Sequence, residues 1–150
     1  LQGKTANDVP ANTPIDLVSQ AFMNESPANK IYNCLFTWKG GGDPAVADFA
    51  ANVGAPHAAD VPFWFGNMDP ATPTAYSAQS YTTANRPGRI LLSNAMMDYL
   101  GSFIKTGNPN PSSSSLPQWP LWSPGSPDFI VLDATMTALD LEVRNGPVAP

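Results

Sequence analysis

The sequence predicts mixed helix and strand structure from three features: one strongly alternating strand, one long amphipathic helix and a terminal pair of strands. In Lys30–Trp38, Tyr32, Cys34, Phe36 and Trp38 alternate with Ile31, Asn33, Leu35 and Thr37, giving one wholly apolar face. Arg89–Lys105 sets Leu92, Met96, Tyr99 and Phe103 on one helical face, widened by Ala95, Leu100 and Ile104. Phe129–Leu132 and Met136–Arg144 flank Asp133-Ala-Thr135 as an antiparallel hairpin, with Thr137, Leu139, Leu141 and Val143 on one side.

Residues 1–14 are polar, carry Pro10 and Pro14, and read as loop. Ile15–Met23 has helical spacing, with Ile15, Leu17, Val18, Ala21 and Phe22 as its apolar side and Asp16 in the first turn. A turn with Pro27 follows, and Asn24-Glu-Ser26 is a glycosylation sequon, meaningful in a eukaryotic secreted protein. The second face of Lys30–Trp38 is half apolar, which suits a sheet covered on both sides. Gly40-Gly-Gly-Asp-Pro44 ends the strand as a plain turn, and a short helix over Pro44–Asn52 leads to a loop around His57. Gly107 and Pro109 stop the long helix, the glycine as a left-handed cap. Asn108–Pro127 is a proline- and serine-rich surface loop in which Trp119 and Trp122 are expected to pack on the scaffold. Ser112–Ser115 forms its flexible tip. There is no internal repeat.

The chain has 150 residues, enough in length for one domain with a sizeable core. Apolar residues make up 43%, which argues against a disordered tail. Seventeen prolines and eleven glycines imply many loops and short elements. A net charge of −5, with seven scattered basic residues, sets nucleic acid aside as a partner, since phosphate contacts need clustered Lys and Arg. No run reaches the ~18 apolar residues of a membrane span. The single cysteine, Cys34, cannot form an internal disulfide and reads as a buried thiol. Leu1 is no initiator methionine, so the chain is expected to come from a longer precursor, and the acidic, lysine-poor, proline-rich composition leans towards secretion.

His57 is the only histidine. Its imidazole titrates near neutral pH without special help, which suits a general base. No Gly-x-Ser-x-Gly turn accompanies it, and no Gly-Lys-Ser/Thr follows Gly40-Gly-Gly42, which excludes a phosphate loop.

Three blocks resemble the C-terminal part of type-B, cholinesterase-like carboxylesterases of the α/β-hydrolase class. Ile31-Tyr-Asn-Cys-Leu-Phe-Thr-Trp38 is similar to a late core strand of that family. Gly54-Ala-Pro-His-Ala-Ala-Asp-Val-Pro-Phe-Trp-Phe-Gly66 resembles its triad-histidine loop. Met97-Asp-Tyr-Leu-Gly-Ser-Phe-Ile-Lys-Thr-Gly-Asn-Pro-Asn110, with Leu116-Pro-Gln-Trp-Pro120, resembles its long C-terminal helix and exit loop. The likeness implies the C-terminal part of an α/β-hydrolase fold: late core strand, histidine loop, long helix and terminal hairpin, completed by an upstream polypeptide. It implies a triad base at His57, with no cofactor and no metal. The family has Gly and Glu where this chain has Ala58 and Asp60.

In α/β-hydrolases the chain order is Ser, then Asp or Glu, then His, so the resemblance implies that the nucleophile and acid lie on an N-terminal piece. Asp8, Asp16, Asp43 and Asp48 are poor candidates for the acid. The expected function is hydrolysis of small carboxylic esters together with that partner piece. The alternatives are a cholinesterase-like adhesion module without the serine and an independent binding domain whose likeness is accidental.

Overall fold

The structure, a computed structural model, describes residues 14–146. The loop expected at 1–14 lies outside these, apart from Pro14, which opens the first helix. The described elements are five helices, α1 (Pro14–Glu25), α2 (Ala47–Asn52), α3 (Val61–Trp64), α4 (Ala75–Ser80) and α5 (Arg86–Thr106), and three strands. The strands β1 (Asn33–Phe36), β2 (Phe129–Ala134) and β3 (Leu139–Arg144) form one sheet in the order β1-β2-β3. By contact, the chain divides into two compact units, of which the described parts are 14–35, 118–130 and 143–146 for one and 36–117 and 131–142 for the other.

In the first unit, α1 is inverted relative to the sequence expectation. Leu17, Val18 and Phe22 are 57%, 57% and 58% exposed, whereas Asp16 and Ser19 are buried. The polar face is inward because it finds partners there. Trp122 Nε1 donates to Asp16 Oδ1 at 3.0 Å. Ser19 and Asn33 exchange hydrogen bonds, Oγ to Oδ1 at 3.2 Å and Nδ2 to Oγ at 3.0 Å. Burying polar groups is tolerable only when they are bonded in this way. Trp119 and Trp122 are both buried as expected, and Trp119 Nε1 donates to the Asn33 carbonyl at 2.9 Å. Cys34 is half-buried.

The second unit is built on α5. Leu92, Ala95, Met96 and Tyr99 are buried along one face, so the predicted stripe holds for its first part. Phe103 and Ile104, the last members of that stripe, are 42% and 74% exposed. Their place on the inward face is taken nearer the N-terminus by Gly88, Arg89 and Ser93. Gly107 ends the helix in the left-handed region at φ +71°, and its N–H bonds the Phe103 carbonyl at 2.7 Å.

Gly88 lets α5 approach the β2–β3 turn: its N–H donates to the Met136 carbonyl at 2.8 Å, and a Cβ here would stand 1.8 Å from the Thr135 oxygen. That turn is closed by Thr135 N–H to the Ala138 carbonyl at 2.9 Å; the expected hairpin is present, but its turn lies at 135–138 rather than at Asp133-Ala-Thr135, because Asp133 and Ala134 continue β2. β2 is almost wholly buried, while Leu139 and Val143 of β3 are 36% and 41% exposed, as on an edge strand. The expected helix after Pro44 is a 3₁₀ turn over Pro44–Val46 that runs into α2; Asp43 caps the turn, accepting from Ala45 N–H at 2.9 Å. α4 has no counterpart among the elements expected from the sequence, although Thr74 and Ser77 form a reciprocal capping box at its start.

Candidate active site

His57 lies in the second unit, between α2 and α3, on a four-residue turn. The Ala59 N–H donates to the Pro56 carbonyl at 3.0 Å, and Ala58 has φ +65°. A positive φ at the third position alone defines a type II turn, with His57 at the second. That geometry favours glycine at the third position, because a Cβ is strained there. It gives a physical reason for a glycine after the histidine, and Ala58 occupies that strained place.

The imidazole is exposed, and no hydrogen bond among the described residues reaches it. Asp60 does not turn towards it. Its Oδ2 accepts from Trp64 Nε1 at 3.0 Å, one helical turn on, and its carbonyl accepts from the Phe63 and Trp64 N–H groups at 2.9 and 3.2 Å. The aspartate thus braces α3 from below.

α3 is four residues long and could not persist alone. Tertiary contacts hold it. The Phe63 side chain is fully buried, its ring centroid 5.1 Å from those of both Phe36 and Trp38. Ser93 Oγ of α5 donates to the Phe63 carbonyl at 2.8 Å, and Arg89 Nη1 donates to the Met68 carbonyl at 2.6 Å. Of the three adjacent aromatics, Phe63 is core, Trp64 is half-buried and Phe65 is 74% exposed. Val53 and Val61, on either side of His57 in sequence, are 48% and 46% exposed.

The sequence reading does not single out Ser93 and Arg89. The available signal is a pair of polar residues interrupting the apolar stripe of α5, Arg89 beside Gly88 and Ser93 beside Leu92. Polar groups on a buried face need partners, and here the partners are carbonyls of the His57–Met68 segment.

Of the aspartates set aside as the triad acid, none is bonded to His57 among the described residues. Asp16 bonds Trp122, Asp43 caps the 3₁₀ turn and accepts from Thr82 Oγ1, and Asp48 lies in the first turn of α2; Asp8 falls outside the described residues. Gly40, Gly41 and Gly42 all have positive φ and turn the chain after β1, with Gly41 close against the Thr135 backbone. Among the described residues no group of three or more His, Cys, Asp or Glu could hold a metal, and no helix is long and apolar enough to cross a membrane. The chemistry available here is that of one accessible imidazole on a constrained turn.

The sequence profile described as the carboxylesterase family matches residues 3–149. Human bile salt-activated lipase is 40% identical over 72 residues, which cover 48% of this chain and 8% of that protein. Among solved structures, a PNB esterase superposes with a TM-score of 0.51 at 22% identity, covering 77% of this chain and 19% of that one. The Geobacillus stearothermophilus carboxylesterase superposes with a TM-score of 0.57 at 21% identity, covering 87% and 23%. At these identities the structural likeness is one of fold. The chain spans about a fifth of the solved structures it matches and less than a tenth of the lipase.

Proposed function

Since this chain belongs to the carboxylesterase family and carries part of its α/β-hydrolase fold, we propose that it is the histidine-bearing part of a serine esterase, with His57 as the catalytic base. The observation that carries this reading is the setting of His57: an exposed imidazole on a type II turn, pinned to α5 through Phe63 and Met68. The serine, the acid and the oxyanion donors belong to an N-terminal polypeptide.

The imidazole takes the proton of the serine hydroxyl as it attacks the ester carbonyl, then returns it to the departing alcohol. A carboxylate from the partner piece holds the second ring nitrogen and fixes the tautomer. Asp60, bonded to Trp64, holds α3 and with it the end of the segment that carries the ring. The substrates are small carboxylic esters, and the acidic, lysine-poor composition fits a secreted enzyme.

Two measurements test the proposal. Intact mass spectrometry of the native sample under denaturing conditions is expected to show a further polypeptide, or a longer chain, carrying the serine, and a fluorophosphonate labels that part. His57→Gln is expected to lower kcat by about six orders of magnitude, the loss seen when a triad histidine is removed. Hydrolysis by residues 1–150 alone, or full activity of His57→Gln, would overturn it.

A further inference from the structure

A cleft of about 520 Å³ opens beside the start of α5, lined by Arg86 and Arg89 together with Asp69, Pro73 and Thr83. The first turn of α5 holds no acidic residue and begins with Arg86, with Arg89 close behind, where the helix dipole already favours negative charge. Arg89 is buried, and its hydrogen bonds go to neutral acceptors: Nε to Asn85 Oδ1 at 2.8 Å, Nη1 to the Met68 carbonyl at 2.6 Å and Nη2 to the Thr82 carbonyl at 3.0 Å. Its guanidinium lies 4.1 Å over the Tyr81 ring. Arg86 is half-exposed and gives Nε and Nη2 to the Asp69 carboxylate. Among the described residues, two guanidinium groups therefore face one carboxylate in the cleft lining, an excess of one positive charge.

We propose that this cleft binds a small oxyanion, a carboxylate or a phosphate group. The planar fork of Arg86 is the docking group, and Asp69 is its resident counterion. Arg89 supplies the field from the floor. A bound anion either takes the Nη1 edge of Arg86 that Asp69 leaves open or displaces Asp69 from the fork. The site is distinct from the His57 turn, and its occupancy does not depend on the serine chemistry proposed above.

Asp69→Asn and Arg86→Gln break the same surface ion pair, so a purely structural role would make them behave alike. An anion site makes them opposite. The intact esterase, in both variants and unaltered, is titrated calorimetrically with sodium benzoate and with inorganic phosphate, chloride holding the ionic strength constant. The unaltered protein is expected to bind one of the two saturably in the millimolar range, benzoate indicating a carboxylate ligand and phosphate a phosphorylated one. Arg86→Gln is expected to weaken binding at least tenfold and Asp69→Asn to tighten it several-fold, with circular dichroism unchanged in both. Absence of saturable binding by both anions, or a shift in the same direction for both variants, overturns the proposal. Neither readout involves serine labelling, so failure of the esterase assignment and failure of this site are separately visible.

Discussion

The Ser93 hydroxyl donates to the Phe63 carbonyl at 2.8 Å, tying the middle of α5 to the short helix that follows His57. Ser93→Ala removes the donor and leaves a buried carbonyl less well satisfied, at a cost of about 1 kcal/mol. Denaturant unfolding is expected to show that loss. Hydrogen exchange should show faster exchange at the amides of 63–66, next to the severed tie. Unchanged exchange there would mean that Phe63 packing alone holds α3.

Ala58 occupies the left-handed region at φ +65°. A non-glycine residue in that region is strained by about 1 kcal/mol or more, so Ala58→Gly is expected to raise the melting temperature despite its greater chain entropy. Ala58→Val, β-branched, is expected to lower it and to distort the His57 turn. A thermal series of the three proteins in the order Val, Ala, Gly checks the prediction.

Gly88 leaves no room for a side chain, since a Cβ would meet the Thr135 oxygen at 1.8 Å. Gly88→Ala therefore pushes α5 off the hairpin turn and strains the bond from its N–H to Met136. The expected cost is about 3 kcal/mol, at the upper end of overpacking effects. Chemical denaturation of the two proteins side by side measures it, and equal stability of the Gly88→Ala variant and the parent would show that the turn yields easily.

Asp133 gives a pH signature. Burial raises its pKa above the usual carboxylate value, opposed by the Thr37 hydroxyl donating to Oδ2 at 2.7 Å and by the Ala134 N–H. Because the folded state holds this proton more tightly than the unfolded one, folding gains from it at low pH, and the gain is lost as pH rises through the folded pKa. Asp133→Asn keeps an acceptor for Thr37 and removes the buried charge. It is expected to be more stable than the parent near neutral pH, with the difference shrinking as pH falls through the raised folded pKa and gone below the ordinary aspartate range. Thermal melts of both proteins across that range provide the check.

The elements legible in the sequence are those whose periodicity agrees with their burial. The Leu92–Tyr99 face of α5, the Gly107 cap and the existence of a terminal hairpin follow local rules that tertiary structure leaves in place, although the hairpin turn falls at 135–138, past the expected Asp133-Ala-Thr135. The alternation of Lys30–Trp38 is also readable, though only Asn33–Phe36 joins the sheet as a strand before the glycines turn the chain. α1 marks the limit of local periodicity. Its apolar spacing correctly indicates a helix, but which side faces inward depends on Trp122 and Asn33, distant in sequence. The same holds at the candidate site. His57 stands out by its residue type and flanks, whereas Ser93 and Arg89, which fix the segment, act through main-chain carbonyls that carry no sequence signature.

The bond between Thr37 and Asp133 joins residues 96 positions apart, and the Thr37 N–H also reaches the Leu132 carbonyl. During synthesis, then, the strand before His57 emerges long before the segment that secures its end. Closing so large a loop is entropically costly until β2 arrives, and folds dominated by such distant pairings form slowly. The Phe36–Trp38 edge therefore waits for its β2 partner while the 96 positions between Thr37 and Asp133 are made. The hairpin, the last described part to be made, sets the time at which that edge is covered.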